Sequence, residues 1–91
     1  MKQYLIQLEL KFELERKLAE FTIENGWTDD IWNTNQDKYF IEYNVNFNEF
    51  EISHCSFRKA SNIYYISKDV AQMAINEIII PFMKENANFK W

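Results

Sequence analysis

The chain has 91 residues with one cysteine and one histidine, and its 10 basic and 14 acidic side chains give a formal net charge of -4. It contains 8 Phe, 5 Tyr and 3 Trp but one Gly and one Pro, a composition that is typical of a globular protein and excludes a disordered or fibrous chain. A chain of this length forms one domain, residues 1–91, which buries roughly 60% of the surface of the unfolded chain.

The N-terminal residues carry two conflicting patterns. Apolar and polar residues alternate strictly from Ile6 to Leu14, which is the period of a strand with one buried face. The residue types are good helix formers, however, and a helical stripe runs from Leu10 to Phe21. We predict a strand over residues 3–11 and a helix over residues 13–24, with a single long helix as the alternative.

Asn25-Gly26 predicts the end of that helix, because both residues tolerate the left-handed conformation of a C-terminal cap. A loop rich in Asp, Asn and Thr follows over residues 27–38. Two strands of alternating pattern, Tyr39–Val45 and Phe50–Phe57, then predict a hairpin, and Ile63–Ile66 predicts a short aromatic strand.

A helix is predicted near the C-terminus. Ser67 has the side chain of an N-cap and Asp69 suits the first helical turn. The apolar residues that recur at helical spacing are Val70, Ala71, Ala74, Ile75, Ile78 and Phe82. Pro81 should end or kink the helix in the preceding turn.

These elements predict an α+β fold. We expect a three- to four-stranded antiparallel sheet, with the C-terminal helix packed on one face and an N-terminal strand or helix segment beside it. The helix stripe that contains Ile75 should face Ile41, Tyr43, Ile52 and Tyr64 of the sheet, and most of the stabilisation should arise there.

The chain lacks the motifs of an enzyme. His54 and Cys55 are neighbours in a predicted strand, so their side chains should point to opposite faces and cannot form a catalytic dyad. Two Cys/His residues are too few for a structural zinc site, and the Asp29-Asp30 region lacks the glycine and terminal glutamate of a calcium loop. One glycine excludes a phosphate-binding loop. We expect no catalytic residue, metal or cofactor.

The lone Cys55 cannot form an internal disulfide, which favours a reducing cytoplasmic compartment. The longest apolar run, Ile78–Met83, has six residues, whereas a membrane span needs about 20. No signal peptide is expected from the polar N-terminal pattern. We therefore expect a cytoplasmic protein that does not act on a membrane.

Negative charge is concentrated in the middle of the chain. Residues 20–51 contain eight acids and one base, Lys38, so their net charge is -7. Such a surface argues against direct nucleic-acid binding, which depends on Lys and Arg contacts to phosphates. Carboxylates also keep a small aromatic protein soluble and discourage strand-to-strand aggregation, and this remains an alternative explanation of the charge.

The functional interpretation is that the acidic surface imitates a phosphate backbone and complements a basic groove on another protein, while exposed aromatic residues supply affinity. Trp27, Ile31 and Trp32 lie among the acids, although they can equally anchor the loop to the core. The residues predicted to contact the partner are Glu24, Trp27, Asp29, Asp30, Trp32, Asp37, Glu42 and Glu49.

Residues 25–82 contain NGWTDDIW, NQDKYFIEYN and NIYYISKDVAQMAINEI. On these segments the chain resembles small, mostly uncharacterised proteins of prophages and mobile elements in low-GC Gram-positive bacteria. Ser67, Ala71 and Ala74 fit the cap and the alanine face of that family's helix, whereas Asp69-Val70 replaces a more usual Glu-containing pair. The resemblance transfers no catalytic residue and does not cover the first 24 residues.

The resemblance implies a phage or mobile-element protein that works in the host cytoplasm. Small acidic proteins of this kind often block a host defence enzyme, and anti-CRISPR proteins are the best-known group. We therefore expect a non-enzymatic inhibitor that binds a host nucleic-acid-handling defence protein, such as a CRISPR effector. The alternative is a structural or assembly module that forms a homodimer through its sheet edge or its N-terminal segment.

Overall fold

The computed structural model describes residues 2–28, 30–31, 36–55, 63–87 and 89–90. An N-terminal helix α1 (Lys2–Glu24) is followed by an antiparallel hairpin of β1 (Lys38–Asn44) and β2 (Glu49–Cys55). The C-terminal helix is continuous and consists of α2 (Lys68–Ala74), a π-helical turn (Ile75–Ile79) and α3 (Ile80–Glu85). None of the helices in the described residues combines the length and the apolarity needed to cross a bilayer.

The N-terminal segment is one helix, so the predicted strand over residues 3–11 is wrong and the alternative is correct. The alternating pattern has a helical explanation. Residues two positions apart on a helix differ by about 200° in direction, so an apolar residue at every second position produces two opposite apolar faces. Leu14 is 2% exposed on the face that meets the core, whereas Phe12 is 62% exposed on the other.

Gly26 ends α1 as the sequence predicts. It adopts a φ of 102°, which L side chains rarely tolerate. The Gly26 amide donates to the Ile23 carbonyl at 3.3 Å, and the Trp27 amide donates to the Thr22 carbonyl at 3.0 Å. This is the Schellman pattern of paired bonds that closes a helix C-terminus. The cap fixes the direction in which Trp27 leaves the helix.

The hairpin forms with the predicted alternation of faces, and the structure gives its register. Ile41 pairs with Ile52, and Glu42 pairs with Glu51. Each strand begins one residue earlier than predicted, and the connecting turn covers residues 45–48. Asn48 supplies the left-handed conformation of the turn with a φ of 52°. The predicted end of the second strand, Phe57, lies outside the described residues.

In the described residues the sheet has two strands, so the expected three or four are not present there. The segment predicted as a third strand forms a single antiparallel bridge, in which the amides and carbonyls of Tyr39 and Tyr65 exchange hydrogen bonds at 3.0 and 2.7 Å. Ser67 follows within two residues and starts the C-terminal helix. The helix begins too soon after Tyr65 for a longer strand to form on that side.

Ser67 is the N-cap, as predicted. Its side-chain oxygen accepts a hydrogen bond from the Val70 amide at 3.1 Å. Pro81 does not end the helix. The π-helical turn precedes it, with the Ile80 amide donating to the Ile75 carbonyl, and Pro81 then occupies the first turn of α3, where its missing N–H is tolerated.

One main hydrophobic core joins the helices and the hairpin. Its buried members are Leu14, Leu18, Tyr65, Ala71, Ala74, Ile75, Ile79, Phe82 and Phe89. Ile41, Phe50 and Ile52 of the hairpin are partly buried against them. The first 24 residues therefore supply one wall of the core through α1.

Tyr65 is 1% exposed, and its hydroxyl has no hydrogen-bond partner among the described residues. Burial raises the pKa of this hydroxyl above its ordinary value of 10.0. We expect Tyr65→Phe to leave the free energy of unfolding unchanged or to raise it by about 1 kcal/mol, because it removes a buried polar group that gains no bond.

The same substitution should change the response to alkali. Because the raised pKa favours the protonated hydroxyl in the folded state, wild-type stability should fall as the pH rises above about 10, where Tyr65 ionises in the unfolded chain. Urea unfolding at neutral and alkaline pH measures both effects. A Phe variant that is less stable than the wild type at neutral pH would contradict this account. An equal loss of stability in the two proteins between neutral and alkaline pH would contradict it as well.

Candidate functional site

The hairpin has two distinct faces because alternate strand residues point in opposite directions. Tyr39, Ile41 and Tyr43 share the inner face with their partners on β2, and Tyr39, Ile41, Phe50 and Ile52 of this face pack against the main core. The outer face is formed by Phe40, Glu42, Asn44, Glu49, Glu51 and Ser53. This outer face contains two of the predicted contact residues, Glu42 and Glu49.

An aromatic cluster covers one end of the outer face. Phe40 and Tyr64 meet edge to face with ring centroids 5.7 Å apart, and Trp27 stacks on Tyr64 at 6.2 Å. Cys55 completes this second, smaller core. Trp27 is half-buried in it and therefore anchors the segment after α1 to the hairpin.

The other end of the outer face is acidic and exposed. Glu42 and Glu51 lie directly opposite each other on the two strands. Neutral donors orient both carboxylates: Ser53 Oγ donates to Glu42 at 3.0 Å, and Asn44 Nδ2 donates to Glu51 at 2.9 Å. Glu49 is exposed one pair nearer the turn. We call Glu42, Glu49 and Glu51 the acidic end of the hairpin.

The turn beside the acidic end exposes two apolar side chains. Val45 and Phe47 are both 72% exposed. The turn itself is ordered by hydrogen bonds, because the Asn46 amide donates to Asn44 Oδ1 at 3.0 Å and the Tyr43 hydroxyl to Asn48 Oδ1 at 3.4 Å. We call this turn, residues 45–48, the tip of the hairpin. The tip exposes an aromatic ring on a hydrogen-bonded backbone and connects the two strand ends that carry the acidic end.

The other predicted contact residues lie elsewhere. Glu24 and Asp30 are exposed on the segment around Trp27. Asp37 precedes β1, and its Oδ2 lies 3.8 Å from Nδ1 of His54. His54 lies opposite Tyr39 on the inner face of the hairpin. The structure thus separates Asp37 from the acidic end. Asp29 and Trp32 lie outside the described residues.

Glu51, Val45 and Phe47 belong to this surface but were absent from the predicted contacts. Glu51 could have been found from the sequence, since the alternation that places Glu49 on a face also places Glu51 there. The sequence indicates the exposure of Phe47 less clearly than it indicates the position of Glu51. An aromatic residue between two asparagines in a turn has no strand partner against which to pack.

The described residues of the site offer charged and apolar groups for contact with a partner. In the described residues no group of three His, Cys, Asp or Glu side chains is placed to hold a metal ion. His54 is exposed and Cys55 is buried, on opposite faces of β2. The arrangement of the acidic end and the tip suits recognition of a cationic surface.

Comparison with protein-family models, curated proteins and solved structures finds no match to this chain. The resemblance to prophage proteins therefore stays a prediction from the sequence segments on which it rests.

Proposed function

We propose that this protein is a non-enzymatic inhibitor that docks the acidic end and tip of its hairpin onto a basic nucleic-acid groove of a host protein. The observation that carries the proposal is the placement of three exposed carboxylates beside an exposed phenylalanine on one ordered hairpin end. Carboxylates spaced along two strands can replace phosphates as partners of Lys and Arg in such a groove.

Electrostatics supports this choice of partner. On the outer face of the described hairpin the basic residue is Lys38, whose side chain is fully buried. Lys38 lies opposite Cys55 in the strand register, at the end of the sheet remote from Glu49. The field of the acidic end is therefore not cancelled by a neighbouring exposed cation on the described part of that face. A negative surface of this kind accelerates encounter with a basic groove and fixes the orientation of the complex.

Phe47 supplies the apolar part of the contact. Charged pairs at an interface rim contribute modestly, whereas an aromatic side chain that enters a pocket dominates binding energy. At 72% exposure Phe47 has most of its surface available for burial by a partner. In this proposal Glu24, Trp27 and Asp30, together with Asp29, which lies outside the described residues, extend the contact from the end of α1.

The aromatic cluster covers one end of the outer face, and the acidic end stays accessible. We place the C-terminal helix across the inner face of the two-stranded hairpin, next to the single bridge between Tyr39 and Tyr65. The resemblance to prophage proteins supplies the class of target, a nucleic-acid-handling defence protein of the host such as a CRISPR effector. The compartment is then the host cytoplasm.

Affinity capture from a Gram-positive host extract tests the proposal. We expect the immobilised protein to capture a nucleic-acid-binding protein, with duplex DNA competing and added salt weakening the complex. Reversing the opposed pair with Glu42→Lys and Glu51→Lys together should weaken binding about tenfold or more, since attraction to the groove becomes repulsion. The paired reversal keeps like charges opposite each other, so the cross-strand repulsion in the hairpin is unchanged.

The matched control is Glu77→Lys with Glu85→Lys, which makes the same change in net charge at exposed positions of the C-terminal helix. This control should bind like the wild type apart from a small effect of overall charge. Binding that resists salt and survives the hairpin reversal, or equal weakening by both double variants, would contradict the proposed surface.

A further inference from the structure

Helix α1 has a second apolar face on which Leu8 and Ala19 are partly buried and the other large side chains are exposed, and no described element packs over it. Its members follow the spacing of a helix stripe and are Leu5, Leu8, Phe12, Ala19 and Ile23. Leu5 is 56% exposed, Phe12 62% and Ile23 63%, while the core-facing Leu14 and Leu18 are each 2% exposed. We call these five residues the outer stripe of α1.

The outer stripe runs along the helix for most of its length. Leu5, Phe12 and Ala19 are seven positions apart in turn, which keeps them on one line down a helix that packs against another. The 23 residues of α1 span roughly 34 Å at 1.5 Å per residue. A partner that covers the whole stripe should therefore itself be a helix of similar length.

The charges beside the outer stripe select the partner and its direction. Glu9 is three positions before Phe12, and Arg16 is four positions after it. Both are exposed, and neither forms an ion pair among the described residues. When a second α1 lies antiparallel with the two Phe12 rings level, Glu9 of each helix comes beside Arg16 of the other.

The two-fold axis of that arrangement repeats each favourable contact. Leu5 of one copy meets Ala19 of the other, which pairs a large side chain with a small one, and both Glu9–Arg16 pairs form together. In a parallel two-fold pair the two copies of Glu9 lie on opposite sides of the contact, as do the two copies of Arg16, so neither Glu9–Arg16 pair forms. The charges thus favour the antiparallel direction.

We infer that two copies of this protein associate through the outer stripes of α1 as an antiparallel, two-fold symmetric dimer. The inference is independent of the partner proposed for the hairpin. The outer stripe then forms the dimer contact, and the Glu9–Arg16 pairs determine that the two helices are antiparallel.

Sedimentation equilibrium over a concentration series tests the dimer. We expect the wild type to reach twice the monomer mass reversibly, and Phe12→Glu to raise the dissociation constant by about a hundredfold or more, because it places two carboxylates at the symmetry axis. Circular dichroism and urea unfolding check that the variant retains its fold. A wild type that remains monomeric throughout the series would overturn the inference.

Charge exchange tests the helix direction. Glu9→Arg alone and Arg16→Glu alone should each weaken the dimer about tenfold, since each turns two attractive contacts into repulsive ones. The double variant Glu9→Arg/Arg16→Glu should restore wild-type association. Glu77→Arg, an exposed charge reversal on the C-terminal helix, is the control and should not weaken the dimer. Failure of the double variant to recover would overturn the antiparallel arrangement.

Discussion

Ile75→Asp is expected to prevent folding. Ile75 is 5% exposed and belongs to the main core, where it lies at the junction between α2 and the π-helical turn. The substitution removes a large apolar side chain and places an unpaired carboxylate among apolar groups, a combination that costs about 4 kcal/mol or more. Protein domains have a total stability of about 5–15 kcal/mol, and small domains lie near the lower end of that range, so a loss of this size leaves little or none of it.

Far-ultraviolet circular dichroism and urea unfolding measure this effect. Asn76→Asp is the matched control, because Asn76 is the next residue and is exposed, so the same charge there leaves the core intact. The control should melt within a few degrees of the wild type. Cooperative melting of Ile75→Asp near the wild-type temperature would refute both the core and the packing of this helix stripe against the sheet.

Gly26→Ala is expected to destabilise the protein by about 2–3 kcal/mol. Two causes contribute. The φ of 102° strains any L side chain, and a Cβ on Gly26 would lie 2.8 Å from Cδ1 of Ile66. The same change should disturb the end of α1 and hence the position of Trp27 on Tyr64, which Trp27 fluorescence and urea unfolding together can follow.

A double-mutant cycle separates the two causes. Ile66→Val deletes the Cδ1 atom that the new Cβ would meet, while leaving the backbone of Gly26 unchanged. Cδ1 is the far end of the Ile66 side chain and can move aside, so in that background Gly26→Ala should cost less than in the wild type by at most about 1 kcal/mol, with the remainder attributable to backbone strain. An equal cost in both backgrounds would exclude the steric contribution, and no cost in either would exclude the cap geometry.

The end of α1, the start of the C-terminal helix and the hairpin could be predicted because local chemistry determines them. Gly26 is required by a left-handed backbone, Ser67 bonds to the amide of Val70, and the strand alternation reproduces the two observed faces. The strand at the N-terminus was a wrong prediction for a definite reason. Alternation describes a strand with one covered face and equally a helix with two apolar faces, and the sequence window cannot distinguish them.

The C-terminal helix shows a second limit. A constant helical repeat places Ile78 in the core with Ile75 and Phe82, but the structure buries Ile79 completely and leaves Ile78 partly buried. The π-helical turn holds one more residue per hydrogen-bonded loop than an α-helical turn, so it rotates the following residues around the axis. In the sequence, the π-helical turn is indicated by nothing in the helical repeat and only by the proximity of Pro81.

The candidate surface was predicted in part. Its charge and its position in the middle of the chain follow from counting residues, and Glu42 and Glu49 do lie on the same face. For the aromatic residues, the half-burial of Trp27 against Tyr64 agrees with the alternative that it anchors the loop, while the exposure of Phe47 at the tip was not predicted. Burial of an individual aromatic residue depends on tertiary contacts, which composition does not encode.

The opposed carboxylates of Glu42 and Glu51 make the stability of the hairpin depend on the charge of any surface that covers them. Like charges directly across two strands destabilise the pairing, and a cationic surface placed over both would remove that repulsion. Since a ligand that binds the folded form stabilises it by mass action, occupancy of this site should make the hairpin amides exchange more slowly with solvent. The pairing of the two strands should therefore be less stable in the free protein than in a complex with such a cationic surface.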